Sequence, residues 1–270
     1  MRRVGVFTYL SIIIILCFVC APIFGESFGD DVPFAAGFIN ARNAQPLNLV
    51  YYPCTDIQST MAVQTSYTSL YELSELTENR IGFAVKSRSF IVAAGFSSFG
   101  QSDYCLQSCG DMAISVKLYK LRAGIGASYQ RISFSETYPP VSLISTNAGV
   151  SYATEQFTLY AVSRNINQPS YTMHSPKLHP EIEGGLAYHS GNGLISQVQA
   201  MCMRHRKPSA AIGQMYPIEK ILDINWLLVL SPVRFGGGFR ITKGNVIFGY
   251  RYSHHPVLGG IHTVSFSIFR

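Results

Sequence analysis

The most constraining feature of this chain is a pair of alternating segments near its C-terminus. Residues 245–270 contain two stretches in which apolar and polar residues alternate, joined by one turn. Val246, Phe248, Tyr250 and Tyr252 would share one face of a strand, and the residues between them the other. Comparable segments recur along the chain. The pattern therefore predicts a sheet assembled from hairpins.

The other end of the chain has the composition of a secretory signal peptide. Arg2 and Arg3 precede an apolar run, and cleavage is expected after Gly25. A retained membrane anchor is the alternative. A lipoprotein attached at Cys20 is disfavoured, because the residues before it lack the small side chains of a lipobox. Residues 1–25 are thus predicted to be a signal peptide.

The low charge content favours a membrane protein built from strands. Charged residues make up only 13% of the sequence, which is unusual for a soluble protein. After the signal peptide, no apolar run is long enough to form a spanning helix. A barrel explains both observations, since half of each strand faces lipid. The basic residues are scattered, so nucleic-acid binding is not predicted.

The spacing of alternating segments predicts an all-β protein with a single antiparallel transmembrane β-barrel of 14 strands, spanning residues 59–270. The connections alternate between long and short, as in barrels whose termini both lie in the periplasm. A soluble β-sandwich is the alternative, but hairpins in series suit closure better. The expected strands are 59–69, 79–87, 89–99, 110–120, 122–133, 143–153, 157–166, 180–189, 194–203, 209–217, 222–230, 233–242, 245–253 and 261–269. Residues 26–58 alternate poorly and form a separate N-terminal segment.

Several polar residues within the strands are expected to face the lumen, because Arg or Lys on the lipid face costs about 2–4 kcal/mol near the midplane. They form either a charged constriction or Arg–Glu pairs that fill the lumen. The prominent candidates are Lys117, Glu183, Gln197, Gln199, Arg234, Arg240 and Arg251, and Gln64 and Ser66 join them on the inner wall.

The cysteines and histidines suggest structure rather than chemistry. Cys105 and Cys109 lie in a loop-like stretch, where an oxidising compartment allows a local disulfide. His254, His255 and His262 are expected to form a hydrogen-bond network at the barrel rim. Metal binding, or catalysis by His262 with Ser265, is the alternative, but residues three apart in a strand face opposite sides. No motif predicts an enzyme, a metal site or a cofactor, and a barrel lipase is rejected on that ground.

Three stretches of the chain resemble the PorV/PorQ-like outer-membrane barrels. Residues 162–166 and 180–185 look like a strand ending in an Asn turn followed by a Pro-initiated strand. Residues 43–54 resemble their Asn-Pro-Ala segment, although Pro53-Cys54 replaces the usual Pro-Ala. The C-terminal hairpin is the specific part, and its matching residues are Arg251, Tyr252, Ser253, His254, His255, Pro256, Leu258, Gly259, His262, Ser265 and Phe269.

The resemblance implies a 14-stranded barrel, similar in fold to FadL fatty-acid transporters, whose N-terminal segment enters the lumen. It implies an accessory role in type IX protein secretion or surface attachment, with secretion-machinery proteins or secreted cargo as partners. A FadL-like channel for hydrophobic small molecules is the alternative, and such a channel is expected to have an apolar pocket between residues 34–50 and the wall. The implied location is the outer membrane of a Gram-negative, Bacteroidetes-like bacterium, in contact with lipid after insertion by the barrel-assembly machinery.

Overall fold

The chain forms one closed antiparallel β-barrel. The computed structural model describes residues 45–270 except 74, 102–104, 135–138, 173–174, 176, 205–206, 220 and 232. Each strand pairs with its neighbours in sequence, and β1 pairs with β14 to close the ring. The described residues contain no helix with the length and apolar character needed to cross a membrane.

The expected number of strands is confirmed. Most boundaries fall within a few residues of those predicted from alternation. The strands are β1 (Met61–Leu70), β2 (Thr77–Ser87), β3 (Phe90–Gln101), β4 (Cys105–Leu118), β5 (Leu121–Phe134), β6 (Val141–Ala153), β7 (Phe157–Arg164), β8 (Glu181–His189), β9 (Ile195–Met203), β10 (Ser209–Ile218), β11 (Leu222–Leu230), β12 (Val233–Lys243), β13 (Val246–His255) and β14 (Gly259–Phe269).

The seam between β1 and β14 leaves no sheet edge. The pairing runs from Ala62 opposite Phe269 to Leu70 opposite Ile261. At its end, the amides of Thr60 and Met61 both donate to the carbonyl of Arg270, at 2.8 and 3.0 Å. Closure matters because hydrocarbon offers no partner to an unpaired amide or carbonyl.

The two faces of the barrel differ in the way that lipid requires. On β4, Met112 and Ile114 are exposed on the outside, while the alternating residues Asp111, Ala113 and Ser115 are buried. Phe248 on β13 and Phe266 on β14 are also exposed and lie opposite one another. The alternation read from the sequence therefore separates a lipid-facing apolar surface from an inner wall.

The connections define two ends of the barrel. The turn end holds the entry to β1, the exit from β14 and tight turns such as residues 88–89 and 119–120. The loop end holds the other connections, of which residues 165–180 are the longest. Some are shorter than predicted: β3 reaches Gln101 and β4 begins at Cys105, so most of the stretch expected to be a loop at 100–110 is strand.

Residues 45–57 lie inside the barrel, in contact with the inner wall. A short helix, α1 (Pro46–Tyr51), begins with a proline, whose missing N–H is tolerated in a first turn. Three residues of this segment form a buried apolar cluster with three residues of the inner wall. The members are Leu49, Val50 and Ile57 from the segment and Ala84, Ile91 and Ala93 from the wall. We refer to residues 45–57 as the plug. The predicted signal peptide, and residues 26–44 of the predicted N-terminal segment, lie outside the described residues.

The lipid-facing assignment predicts how the barrel responds to charge on its outside. Ile125 is 63% exposed on the lipid-facing side of β5, four residues deeper than the start of the strand, whereas Leu118 is 66% exposed at the turn end of β4. We expect Ile125→Arg to lower the free energy of unfolding by about 2–4 kcal/mol, and Leu118→Arg by about 0–1 kcal/mol, because the cost falls toward the interface. Urea titration of the refolded barrel in lipid vesicles measures both. Equal losses would contradict the depth assigned to Ile125.

Candidate functional site: the plugged lumen

The plug is joined to the inner wall at the turn end by ion pairs. The Asp56 carboxylate lies 2.8 Å from Nζ of Lys86 on β2 and 2.9 Å from a guanidinium nitrogen of Arg122 on β5. Lys86 also donates to the carbonyl of Ile57 at 2.6 Å. Arg122 is buried, whereas Lys86 and Asp56 are partly exposed. One acidic residue thus connects the plug to two separate strands.

A second, buried polar cluster binds the middle of the plug. The Tyr52 hydroxyl donates to Glu183 on β8 at 3.1 Å, and Tyr160 on β7 donates to the other oxygen of the same carboxylate at 3.1 Å. Arg164 donates to Glu183 at 2.9 Å and lies 3.7 Å from Glu181. Its guanidinium stacks 4.8 Å from the Tyr52 ring centroid. Glu183 therefore receives three donors, as a buried carboxylate requires.

Backbone groups of the plug are satisfied by the wall as well. The carbonyl of Val50 accepts from the Asn147 amide at 2.9 Å, and the carbonyl of Cys54 accepts from the Ser151 hydroxyl at 2.5 Å. The amide of Leu47 donates to the side chain of Gln64 at 3.1 Å. A short non-strand segment needs such partners, because its own backbone groups are otherwise unpaired.

Inward-facing glycines make room for the plug. A Cβ atom on Gly82 would lie 2.7 Å from the Leu47 side chain, and one on Gly124 would lie 2.2 Å from the Pro53 carbonyl oxygen. A Cβ on Gly149 would lie 3.0 Å from the Cys54 sulfur. The inner wall is therefore shaped to the plug, and a side chain at these positions would displace it.

The reactivity of the Cys54 thiol depends on how completely the barrel encloses the plug. Its side chain is fully buried and carries a free thiol. Burial raises the pKa of the Cys54 thiol to about 12. Because the thiolate is the reactive form, this cysteine is unreactive while the plug is in place.

An apolar cavity lies at the loop end, at the tips of β2, β3 and β4. Its volume is about 340 Å³. Leu76, Phe99 and Gly100 line it together with Glu75, Gln101 and Cys105. This cavity, which we call the vestibule, differs in place from the apolar pocket that a channel was expected to have beside residues 34–50. Of that range, residues 34–44 lie outside the described residues, and Leu47 is in tight contact with the wall.

The residues predicted to face the lumen are placed as follows. Glu183 belongs to the Tyr52 cluster, and Gln197 donates to Gln199 at 3.0 Å beside it. Arg240 on β12 pairs with Asp223 on β11 at 2.6 Å. Arg234 and Arg251 are partly buried on β12 and β13, and Lys117 is exposed at the turn end of β4. Most of these residues take part in wall packing and ion pairing rather than one ring of charge.

The structure does not contain the possible Cys105–Cys109 disulfide. Both residues carry free thiols. They lie on one strand, four residues apart, which places their Cα atoms roughly 13 Å apart. A disulfide needs a separation below about 7 Å. Cys109 instead donates to the Asp111 carboxylate at 3.3 Å.

The residues of the C-terminal hairpin form the β13–β14 connection and its flanks. His255 accepts from the amides of Val257 and Leu258, at 3.3 and 3.1 Å, and so stabilises the turn that contains Pro256. Ser265 and Phe269 lie further along β14, which begins at Gly259.

On the outside of the same strands, His262 hydrogen-bonds to the Tyr250 hydroxyl at 2.8 Å. Across the described part of the chain, no group of three or more His, Cys, Asp or Glu side chains is placed to hold a metal.

Of the residues that hold the plug, Glu183 and Gln64 were among the expected inner-wall residues, but several others were missed. Tyr52, Asp56, Arg122 and Arg164 were not among the expected site residues. Asp56 offered a signal, since it is an isolated acid just before the first strand. Its partners on β2 and β5 could not be identified without knowing the register of the barrel.

The closed ring of 14 antiparallel strands with a plugged lumen defines an outer-membrane-type barrel. In structure the chain is similar to the Ralstonia pickettii toluene transporter TbuX, with a TM-score of 0.64, 10% identity, and coverage of 90% of this chain and 98% of that one. It is similar to a deletion mutant of TodX, a monoaromatic hydrocarbon channel, with a TM-score of 0.57, 9% identity and coverage of 90% and 95%. It is also similar to the Acinetobacter baumannii outer membrane protein Omp33, with a TM-score of 0.54, 8% identity, and coverage of 78% of this chain and 98% of that one.

These likenesses show the fold. No family model matches the chain, and no curated protein matches its sequence. The resemblance of the C-terminal hairpin to PorV/PorQ-like barrels therefore stays a prediction.

The fit between plug and wall predicts the reactivity of Cys54. We expect Gly124→Val to displace the plug, since a side chain there collides with the Pro53 carbonyl, and to expose Cys54. Alkylation by iodoacetamide at pH 8, located by peptide mass spectrometry, should be negligible at Cys54 in the native barrel and rapid in the variant. Gly110→Val is the control, because no atom lies within 4 Å of a Cβ at that position. Equal protection of Cys54 in all three proteins would contradict the fit.

Proposed function

We propose that this protein is an outer-membrane channel for small hydrophobic molecules, closed by residues 45–57. The observation that carries the proposal is the vestibule at the loop end, an apolar cavity of about 340 Å³ in a barrel whose lumen also holds the docked plug. In this arrangement the loop end faces the cell exterior and the turn end faces the periplasm of a Gram-negative cell.

The vestibule has the size and lining of a ligand site. Binding pockets for small molecules have volumes of about 300–1,000 Å³ and are mostly apolar, with a few polar groups. Phe99 and Leu76 provide the apolar surface, and Gln101 and Glu75 the polar groups. An uncharged solute would gain by leaving water for this cavity, in proportion to the apolar area it buries.

The fold supports the same class of solute. TbuX and TodX, which this chain resembles in structure, are described as a toluene transporter and a monoaromatic hydrocarbon channel. At about 10% identity their substrates cannot be transferred residue by residue. They support the choice of an aromatic hydrocarbon as the first solute to test.

Opening requires the plug to move, and the Asp56 ion pairs are the accessible place to begin. Lys86 and Asp56 are partly exposed, whereas the Tyr52–Glu183 contact is buried deep in the lumen. Removing Asp56 would leave Lys86 and Arg122 without their carboxylate and weaken the plug at the end that leads into β1.

The proposal predicts solute uptake that responds to the plug and to the vestibule. In vesicles loaded with a toluene-oxidising reporter, the native protein should raise the rate of toluene uptake above that of empty vesicles. We expect Asp56→Ala to increase this rate several-fold, because it loosens the plug. We expect Phe99→Ser to reduce it several-fold, because it adds a hydroxyl group to the apolar vestibule.

The matched control is Phe96→Ser, which makes the same change three residues away on the lipid-facing side of β3, where Phe96 is exposed. It should leave uptake unchanged. Uptake at background for every apolar solute, in both the native protein and Asp56→Ala, would reject the channel.

An accessory role in protein secretion or surface attachment stays a second hypothesis. It is supported by the resemblance of the hairpin around His255–Gly259 to PorV/PorQ-like barrels. Affinity isolation from native membranes, with cross-linking, tests it. Recovery of secretion-system proteins or secreted cargo would support the accessory role, and their absence would count against it. The Bacteroidetes-like origin and the identity of any partner likewise stay predictions.

A further inference from the structure

The positive charge of this protein is concentrated in its C-terminal third. From residue 190 onward the sequence contains nine Lys and Arg residues, and its only acidic residues are Glu219 and Asp223. In the barrel, the adjacent strands β12, β13, β14 and β1 contain no Asp or Glu. The flanking strands carry one acidic residue each, and both are already paired: Asp223 on β11 with Arg240, and Glu78 on β2 with Arg80, each at 2.6 Å.

Arg251 lies in the middle of this acid-free wall. It occupies an inward position on β13, between Gly249 and Ser253, where the neighbouring lipid-facing residues are Tyr250 and Tyr252. Its cross-strand partners are Gly238 on β12 and Thr263 on β14. The immediate surroundings therefore consist of small, uncharged side chains, which leave the guanidinium space and no carboxylate.

Arg251 differs from the paired arginines of the inner wall. Arg80 pairs with Glu78, Arg122 with Asp56, Arg164 with Glu183, and Arg240 with Asp223. Among the described residues, Arg251 makes no hydrogen bond, ion pair or ring contact. Yet its side chain is partly buried in the lumen. A guanidinium stays charged at every physiological pH, so a partly buried one needs a counterion.

We propose that Arg251 binds a small oxyanion that enters the lumen from solution. A guanidinium donates two parallel hydrogen bonds to the oxygens of a sulfate, phosphate or carboxylate group. Hydroxyl groups lie on the adjoining inward-facing positions: Ser253 on the same strand, and Thr263 on β14, which shares a hydrogen bond with Thr68 at 3.1 Å. The site is separate from the vestibule and does not depend on the passage of hydrophobic solutes, so the two proposals can fail independently.

Direct binding tests the proposal on the full-length barrel in detergent. Equilibrium dialysis with radiolabelled sulfate at low ionic strength should show one bound sulfate per barrel. We expect Arg251→Gln to weaken binding at least tenfold. Arg131→Gln is the matched control, because it removes the same charge from the outward-facing side of β5 and should leave binding unchanged.

A second variant provides Arg251 with a counterion from the protein itself. Thr263→Asp places a carboxylate directly across from Arg251 and should also abolish sulfate binding. Because it adds a partner for a buried charge, it tests the site even if Arg251→Gln fails to fold. Native protein that binds no sulfate, or binding that persists in Thr263→Asp, would overturn the proposal.

Discussion

Every feature of this barrel depends on the pairing of backbone amides and carbonyls from one strand to the next. In hydrocarbon an unpaired group has no water to bind, so a sheet can cross only when its first and last strands meet. Here β1 and β14 pair from Ala62 opposite Phe269 to Leu70 opposite Ile261, and the Arg270 carbonyl accepts from two amides at the seam. Closure in turn encloses a lumen, and the lumen makes possible an interior that differs chemically from the outside.

The interior is filled by specific contacts rather than by a general excess of apolar residues. Asp56 binds Lys86 and Arg122, and Tyr52 joins the Glu183–Arg164 pair, so the plug is held at two points by charged groups. Glycines at 82, 124 and 149 allow other parts of the plug to lie against the wall. Buried ion pairs contribute little net stability, but they are sensitive to the loss of either member. In the proposed channel, such an arrangement would hold the plug in one position and still allow it to be displaced.

The strands were predictable from the sequence, whereas most of the contacts that form the site were not. Alternation along residues such as Met112–Leu118 indicates which face contacts lipid, because the cost of placing a polar side chain in hydrocarbon applies to each residue individually. The partners of Asp56 lie on β2 and β5 and those of Tyr52 on β7 and β8, and their proximity follows from register and closure. The prediction of a loop around Cys105 was wrong for a related reason, since most of this stretch is strand. Polar and small residues at 105–110 read as a turn, but they can extend a strand when a neighbour continues to pair with it.

The position of the plug also has a consequence for how the molecule assembles. Its described anchors belong to strands β1 to β8, all of which come early in the chain. The seam, by contrast, joins Ala62 to Phe269 across almost the entire sequence, and contacts of such long separation form slowly. An open sheet of the first eight strands would already present every one of these anchors. The plug can therefore act as a template around which the nascent sheet curls, so that the finished ring closes on a lumen that was occupied from the start.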